Sequence, residues 1–269
     1  MTGSGLKTVE RALQLLTLFV RSPDRTWSLA ELAQETGYHK TTVLRMLATL
    51  EQYKVLARDS ETRRYRLGTL ALELGAAAGA EFRRVAYPEM VKLSAETGET
   101  ALLHVVSGVE TVCIEKVESH QPVRVTFDIG RRGPLYAGAS GKSLLAFLEP
   151  DRINEILAQV PLRQYTPATI TDPDELRREL ERTRARGYAI SHGELDAGIW
   201  SVGAPIWNSL GRLEGGLALV GLESRWTEDR WPLFVRATRA AAQRISQALG
   251  HRNLDDSLGT TVSSAAGDS

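Results

Sequence analysis

Lys40, Thr41, Thr42 and Arg45 stand at the head of an apolar-periodic stretch, and Arg63, Arg64 and Arg66 follow in a short turn-and-strand run. Ammonium and guanidinium groups neutralise phosphate oxygens, guanidinium pairs with the edge of guanine, and threonine hydroxyls take either kind of partner. The set is therefore suited to nucleic acid. From Tyr38 to Leu67 the cations Lys40, Arg45, Lys54, Arg58, Arg63, Arg64 and Arg66 outnumber the anions Glu51, Asp59 and Glu61. The basic bias is local, because the whole chain has a formal net charge of zero.

Residue types that suggest enzymatic chemistry fail on spacing. Gly141-Lys142-Ser143 resembles the end of a phosphate-binding loop, but that motif needs a glycine five residues before Gly141, where Tyr136 stands. His39, His104, His120, His192 and His251 are scattered, with no metal-ligand spacing and no carboxylate partner, and are expected to be solvated or satisfied. There is no nucleophile elbow, and Ser140 has no evident base. The single cysteine, Cys113, lies in the apolar-alternating run TVCIEKV and reads as a buried strand thiol. No cofactor, metal or catalytic residue is expected. Residues 137–142, AGASGK, form a small-residue turn leading into a helix at Gly141. The amides around Ala139 and Ser140 then either hold an anion at the helix start or lie beneath a Ser140 cap.

The elements that position the basic residues are legible. Ser28 with Glu31 three residues later is a capping box, with Trp27 and Leu32 as its staple, so a helix starts at Leu29 and ends at Gly37. A second helix from about His39 carries Val43, Leu47 and Leu50 on its apolar face. That is the layout of a helix-turn-helix. Residues 55–67 read as a hairpin with a polar turn, a basic wing. An earlier helix over residues 8–21 offers Val9, Ala12, Leu13, Leu16, Phe19 and Val20 as a covering stripe. Residues 69–82, rich in Ala and Leu, predict a linking helix that needs burial, such as against its copy in a second subunit.

A chain of 269 residues suggests two domains. From residue 83 the pattern becomes mixed: a helix over 85–97, strand-like runs over 100–106, 111–117 and 123–129, a helix over 141–148, a charged helix over 173–186, strands over 188–191, 201–207 and 216–222, and a last helix over 228–249. This predicts an α+β domain. The expected division is 1–68 for the winged helix, 69–82 for the linker, 83–250 for the second domain and 251–269 for a disordered tail. The lone cysteine, the absence of a long apolar run and the absence of a leader pattern lead to an expectation of a cytoplasmic protein without membrane contact.

The ordered segments TVERAL, LAELAQETGYHKTTVLRMLATL, RRYRLG, PLYAGASGKSLLAFL and GIWSVGAPIW resemble the IclR family of bacterial transcription regulators over nearly the whole chain. The resemblance implies a winged helix, a linker helix, a GAF-like effector domain, dimers or tetramers of dimers, a DNA operator and a small organic acid effector. It implies a carboxylate-holding turn at Ala139 and Ser140, a pocket wall at Ile199, and polar pocket positions at Ser191 and Ser201. Two further positions, often serines in relatives, are Ala218 and Val220 here. With Trp200 and Tyr136 as further apolar wall, the expectation is an aromatic or hydrophobic acid in preference to small keto acids. An enzyme domain fused to a DNA-binding domain is the alternative; it requires a catalytic pair that the second domain does not offer.

Overall fold

The computed structural model describes residues 6–22, 24–77 and 79–251. They form two compact units, one up to Ala80 and the other from Glu81 onward. The expected tail lies outside the described residues except for His251.

The first unit is built from α1 (Lys7–Arg21), α2 (Leu29–Thr36), α3 (Lys40–Gln52), β1 (Leu56–Arg58), β2 (Tyr65–Leu67) and α4 (Thr69–Ala77). The Ser28 hydroxyl accepts the Glu31 amide and the Glu31 carboxylate accepts the Ser28 amide, closing the capping box. Gly37 ends α2 at φ 69°, a left-handed conformation that glycine adopts without penalty. The core of this unit joins Leu15 and Phe19 of α1 to Leu32, Val43, Leu47 and the wing residues Leu56 and Tyr65. The buried stripe of α1 is thus narrower than the sequence suggested. Val9, Leu13 and Val20 are 51%, 57% and 52% exposed, because the helix is apolar on more than the one side that its neighbours cover. In α4, Leu72 and Leu74 are also exposed within the single chain.

The second unit opens on α5 (Ala80–Thr97) and ends on α9 (Trp231–Ala248), which cover one face of a six-stranded antiparallel sheet in the order β5-β4-β3-β8-β7-β6. The strands are β3 (Thr100–Ser107), β4 (Glu110–Val117), β5 (Arg132–Pro134), β6 (Ala189–His192), β7 (Ile199–Trp207) and β8 (Leu213–Leu222). The other face carries α6 (Gly138–Leu145), backed by α7 (Pro150–Gln159) and α8 (Pro173–Arg186). The helix α6 sits tightly on the sheet because Gly203 and Gly216 leave room for it: a Cβ on Gly203 would lie 2.4 Å from the Ala139 carbonyl oxygen.

Three expectations are revised. Residues 123–129 are not a strand; Val125 and Phe127 pack inward while Val123 and Ile129 are exposed, so their alternation reflects one-sided burial without a paired neighbour. The sheet edge is instead β5, pairing with β4 at Glu110–Val112. Helix α6 starts three residues earlier than expected, placing Ala139 and Ser140 inside its first turn. Helix α7, with Pro150 at its first turn, had no place in the sequence reading.

Candidate functional sites

On α3, burial of Val43, Met46 and Leu47 turns Lys40, Thr41 and Arg45 to solvent, with Thr42 half-buried beside them. His39 caps the helix: its Nδ1 lies 2.9 Å from the Thr41 hydroxyl and 3.4 Å from the Thr41 amide nitrogen. In the wing, β1 pairs with β2 so that Ala57 faces Arg66, and Arg63 and Arg66 are exposed.

Arg64 differs from its neighbours. A bridge between Trp27 and Tyr65 draws the wing against the segment before α2. The Arg64 guanidinium then donates to Glu31 at 2.7 Å, to the Thr26 hydroxyl at 3.0 Å and to the Thr26 carbonyl at 2.8 Å. The Ser28 amide, with the Arg64 guanidinium and the Ser28 hydroxyl, holds the Glu31 carboxyl at about 2, well below the carboxylate range. A guanidinium held this way anchors the wing and has few donors left for phosphate. Arg64→Ala is expected to lower the melting temperature of the N-terminal unit by a few degrees while leaving the salt dependence of DNA binding unchanged. A shallower salt slope in Arg64→Ala, measured by fluorescence anisotropy, would return Arg64 to the phosphate contacts.

In the second unit a cavity of about 60 Å³ lies between α6 and the sheet. Leu102, Phe127, Leu195, Ile199 and Val220 supply its apolar wall, and His104, Thr111, Ser191 and Ser201 its polar side chains. Pairing explains this grouping: Ser191 faces Ser201 across β6 and β7, and Ser201 faces Val220 across β7 and β8. Ala137 precedes the helix without a side-chain cap. The Gly138 amide donates to Glu194 at 3.0 Å, and the Ala139 amide reaches the Ser201 hydroxyl at 3.4 Å. The Ser140 amide has no acceptor among the described residues. Ser140 is not the cap, since the helix starts at Gly138, and its free amide borders a space large enough for a few water-sized groups.

Of the residues expected here, Ala139, Ser140, Ser191, Ile199, Ser201 and Val220 border the cavity. Ala218 lies on the same sheet face, paired with Leu102 and Gly203, but is fully buried and not part of the cavity wall. Trp200 points to the opposite face, stacked on His192 with ring centroids 4.1 Å apart, as strand alternation requires for a neighbour of Ser201. Tyr136 borders a second, outer cavity of about 460 Å³ that shares Phe127, Arg131 and Leu195 with the first. Its hydroxyl donates to the Arg163 carbonyl and accepts the Arg163 amide.

Sequence reasoning missed two groups. Glu194 lies beside Leu195 and Asp196 of the cavity wall, and its carboxylate takes both the Gly138 amide and the buried ammonium of Lys142. His104 is 4% exposed, and burial pushes its imidazole down to about 4, so it is neutral at physiological pH. Cys113 is fully buried on this side of the sheet with its thiol pushed up to about 11 by burial, a structural thiol.

A winged helix with outward cations, followed by an α+β unit that encloses a small cavity at a helix start, describes a DNA-binding protein with a ligand-sensing domain. The family model for the IclR helix-turn-helix domain matches residues 8–60, and that for the bacterial transcriptional regulator IclR C-terminal domain matches residues 75–247. The chain belongs to the IclR family of bacterial transcriptional regulators and is not an enzyme. It is 38% identical to the HTH-type transcriptional regulator KipR of Bacillus subtilis, over 91% of this chain and 98% of the relative. Among solved structures, an IclR regulator from Silicibacter sp. superposes with a TM-score of 0.83 at 30% identity, covering 91% of this chain and 97% of that one. An IclR homologue from Microbacterium hydrocarbonoxydans, solved with 4-hydroxybenzoate, has a TM-score of 0.80 at 26% identity over 90% of this chain and 98% of that one. No helix of the described residues is long and apolar enough to cross a membrane.

Proposed function

We propose that this regulator binds a near-palindromic operator as a dimer, or a dimer of dimers, and that an aromatic or otherwise hydrophobic carboxylic acid in the inner cavity modulates that binding. The observation that carries the effector reading is the pairing of the first turn of α6, where the Ser140 amide has no acceptor among the described residues and the Ala139 amide makes only a 3.4 Å contact to the Ser201 hydroxyl, with a wall of Leu102, Phe127, Ile199 and Val220. Helix N-termini favour carboxylates, and apolar wall gains about 25 cal/mol for each Å² of carbon surface removed from water. A small keto acid would leave that wall unfilled. The homologue solved with 4-hydroxybenzoate supports the same class of ligand. Calorimetry with benzoate and glyoxylate tests it, with tighter binding of glyoxylate as the overturning result.

Self-association draws support from two exposed apolar surfaces in the N-terminal unit, Val9 and Leu13 on α1 with Leu6 just before it, and Leu72 and Leu74 on α4. Surfaces of this kind mark contacts with other chains. Two copies of α3 then meet symmetric half-sites. The proposed contacts are Lys40, Thr41, Thr42 and Arg45 on the groove, with Arg63 and Arg66 on phosphates. Arg45→Ala is expected to weaken specific operator binding by about 1–3 kcal/mol and to leave random DNA nearly unaffected. Arg66→Ala weakens both DNAs alike and lowers the salt slope by about one. Equal losses on both DNAs for Arg45→Ala overturn its role in base recognition.

A further inference from the structure

The imidazole of His104 borders the inner cavity, yet the side chain is almost wholly buried and its Nδ1 has no hydrogen-bond partner among the described residues. Buried polar groups are nearly always paired, and the exceptions call for a missing ligand or a function. The local backbone is irregular at this place. The register between β3 and β4 shifts between Leu103 and His104, so that His104 faces Cys113 while Leu103 faces Glu115. Such bulges re-aim side chains beside binding sites. His104 stands two residues from Leu102, on the cavity face of β3, with Val220 and Ile199 packed in the same apolar cluster as Leu102.

The neighbouring polar groups are already engaged. The Thr111 hydroxyl donates to the Gly133 carbonyl at 3.3 Å, and the rim residue Arg132 is held by Glu110 at 2.7 Å and by the Ser107 hydroxyl at 3.1 Å. Arg131 lies over the Phe127 ring, 4.3 Å from its centroid. Neither satisfies the imidazole.

We propose that His104 is a specificity-determining contact for a hydroxyl group of the effector, which makes the effector a hydroxylated aromatic acid in preference to its unsubstituted parent. The proposal rests on the reading of the inner cavity as the effector site. A neutral imidazole offers one N–H donor and one bare nitrogen acceptor, and a hydroxyl complements either, whereas the carboxylate, an acceptor only, is matched to the α6 amides. Because the ring is uncharged, it does not compete with those amides for the anion. A ligand without the hydroxyl leaves the ring as unpaired as it is now.

The test is calorimetry on the full chain near neutral pH with benzoate and the three monohydroxybenzoates. At least one hydroxy isomer is expected to bind about tenfold or more tightly than benzoate. In His104→Leu that preference falls to within about twofold; His104→Gln, which keeps a donor and an acceptor, retains part of it. Should the leucine variant fail to fold, a partial loss in the glutamine variant supports the proposal and an unchanged preference overturns it. Equal binding of all four acids by the wild type, or a preference that survives His104→Leu, also overturns it. Ser140→Pro separates the two readings, since it removes the amide donor in the first turn of α6. If benzoate binds Ser140→Pro as well as wild type, or if none of the acids binds the wild type, the effector reading of the cavity falls and the His104 proposal falls with it.

Discussion

Replacing Lys142 by methionine is expected to destabilise the C-terminal unit by about 3–5 kcal/mol, the cost of stranding one partner of a buried ion pair. Lys142 is 1% exposed, its ammonium bonded to Glu194 and 3.5 Å from Glu179. Glu179 is compensated in any case, since Arg186 donates to it at 2.7 Å. Glu194 is not. Without Lys142 its carboxylate keeps only the Gly138 amide, and the loop that it anchors is also held by Thr166 and Thr169, whose hydroxyls donate to the carbonyls of Gly193 and Glu194. That loop supplies Leu195 and Asp196 to the cavity wall, so the same change should weaken effector binding at temperatures where the unit is folded. The pair Lys142→Met and Glu194→Gln together removes both charges, and most of the loss should return in a double-mutant cycle measured by denaturant unfolding. A loss below about 1 kcal/mol for Lys142→Met alone would show that Glu194 is solvated and that the pair does not hold the loop.

This ion pair also marks where the sequence stops being informative. Signals that act within a few residues were legible: the Ser28 and Glu31 capping box and the Gly37 stop. Each is a local hydrogen bond or a backbone preference, and local pattern is enough to show it. Lys142 and Glu194 are 52 residues apart, and the fragment GKS showed only what Lys142 does not do. The strands of the sheet were mostly placed, but pairing partners were not, which is why residues 123–129 passed for a strand on alternation alone. Alternation reports one-sided burial, and burial needs no ladder.

The candidate cavity shows the same division. Ser191, Ile199, Ser201 and Val220 share a sheet face because residues two apart on a strand do, and adjacent strands then align them. Trp200, one residue from Ser201, falls on the other face by the same rule. His104 carried a usable signal: a histidine inside the apolar run ALLHVV, at even spacing from Leu102, is placed for burial without an evident partner. What no local pattern supplied was the knowledge that the opposite wall would be the start of α6.

Gly203→Ala is the change expected to separate the helix from the sheet at that wall. An added Cβ would lie 2.4 Å from the Ala139 carbonyl oxygen, 2.8 Å from its carbon and 2.9 Å from the Ser143 hydroxyl. The serine can turn away, but the carbonyl belongs to the first turn of α6 and yields only if the helix moves. Overpacking of this kind costs about 1–3 kcal/mol. The functional loss is expected to be larger in proportion, because the displaced turn carries the Ala139 and Ser140 amides, and hydrogen bonds weaken steeply once distance and angle depart from their optimum. Effector affinity should fall about tenfold or more while binding of the effector-free protein to operator DNA is retained. Gly211→Ala is the matched control: at φ 68° with nothing within 4 Å of an added Cβ, it carries only backbone strain of about 1 kcal/mol and is not part of the cavity wall. Unchanged effector affinity in Gly203→Ala, with the stability loss present, would mean that the amides of α6 do not hold the acid.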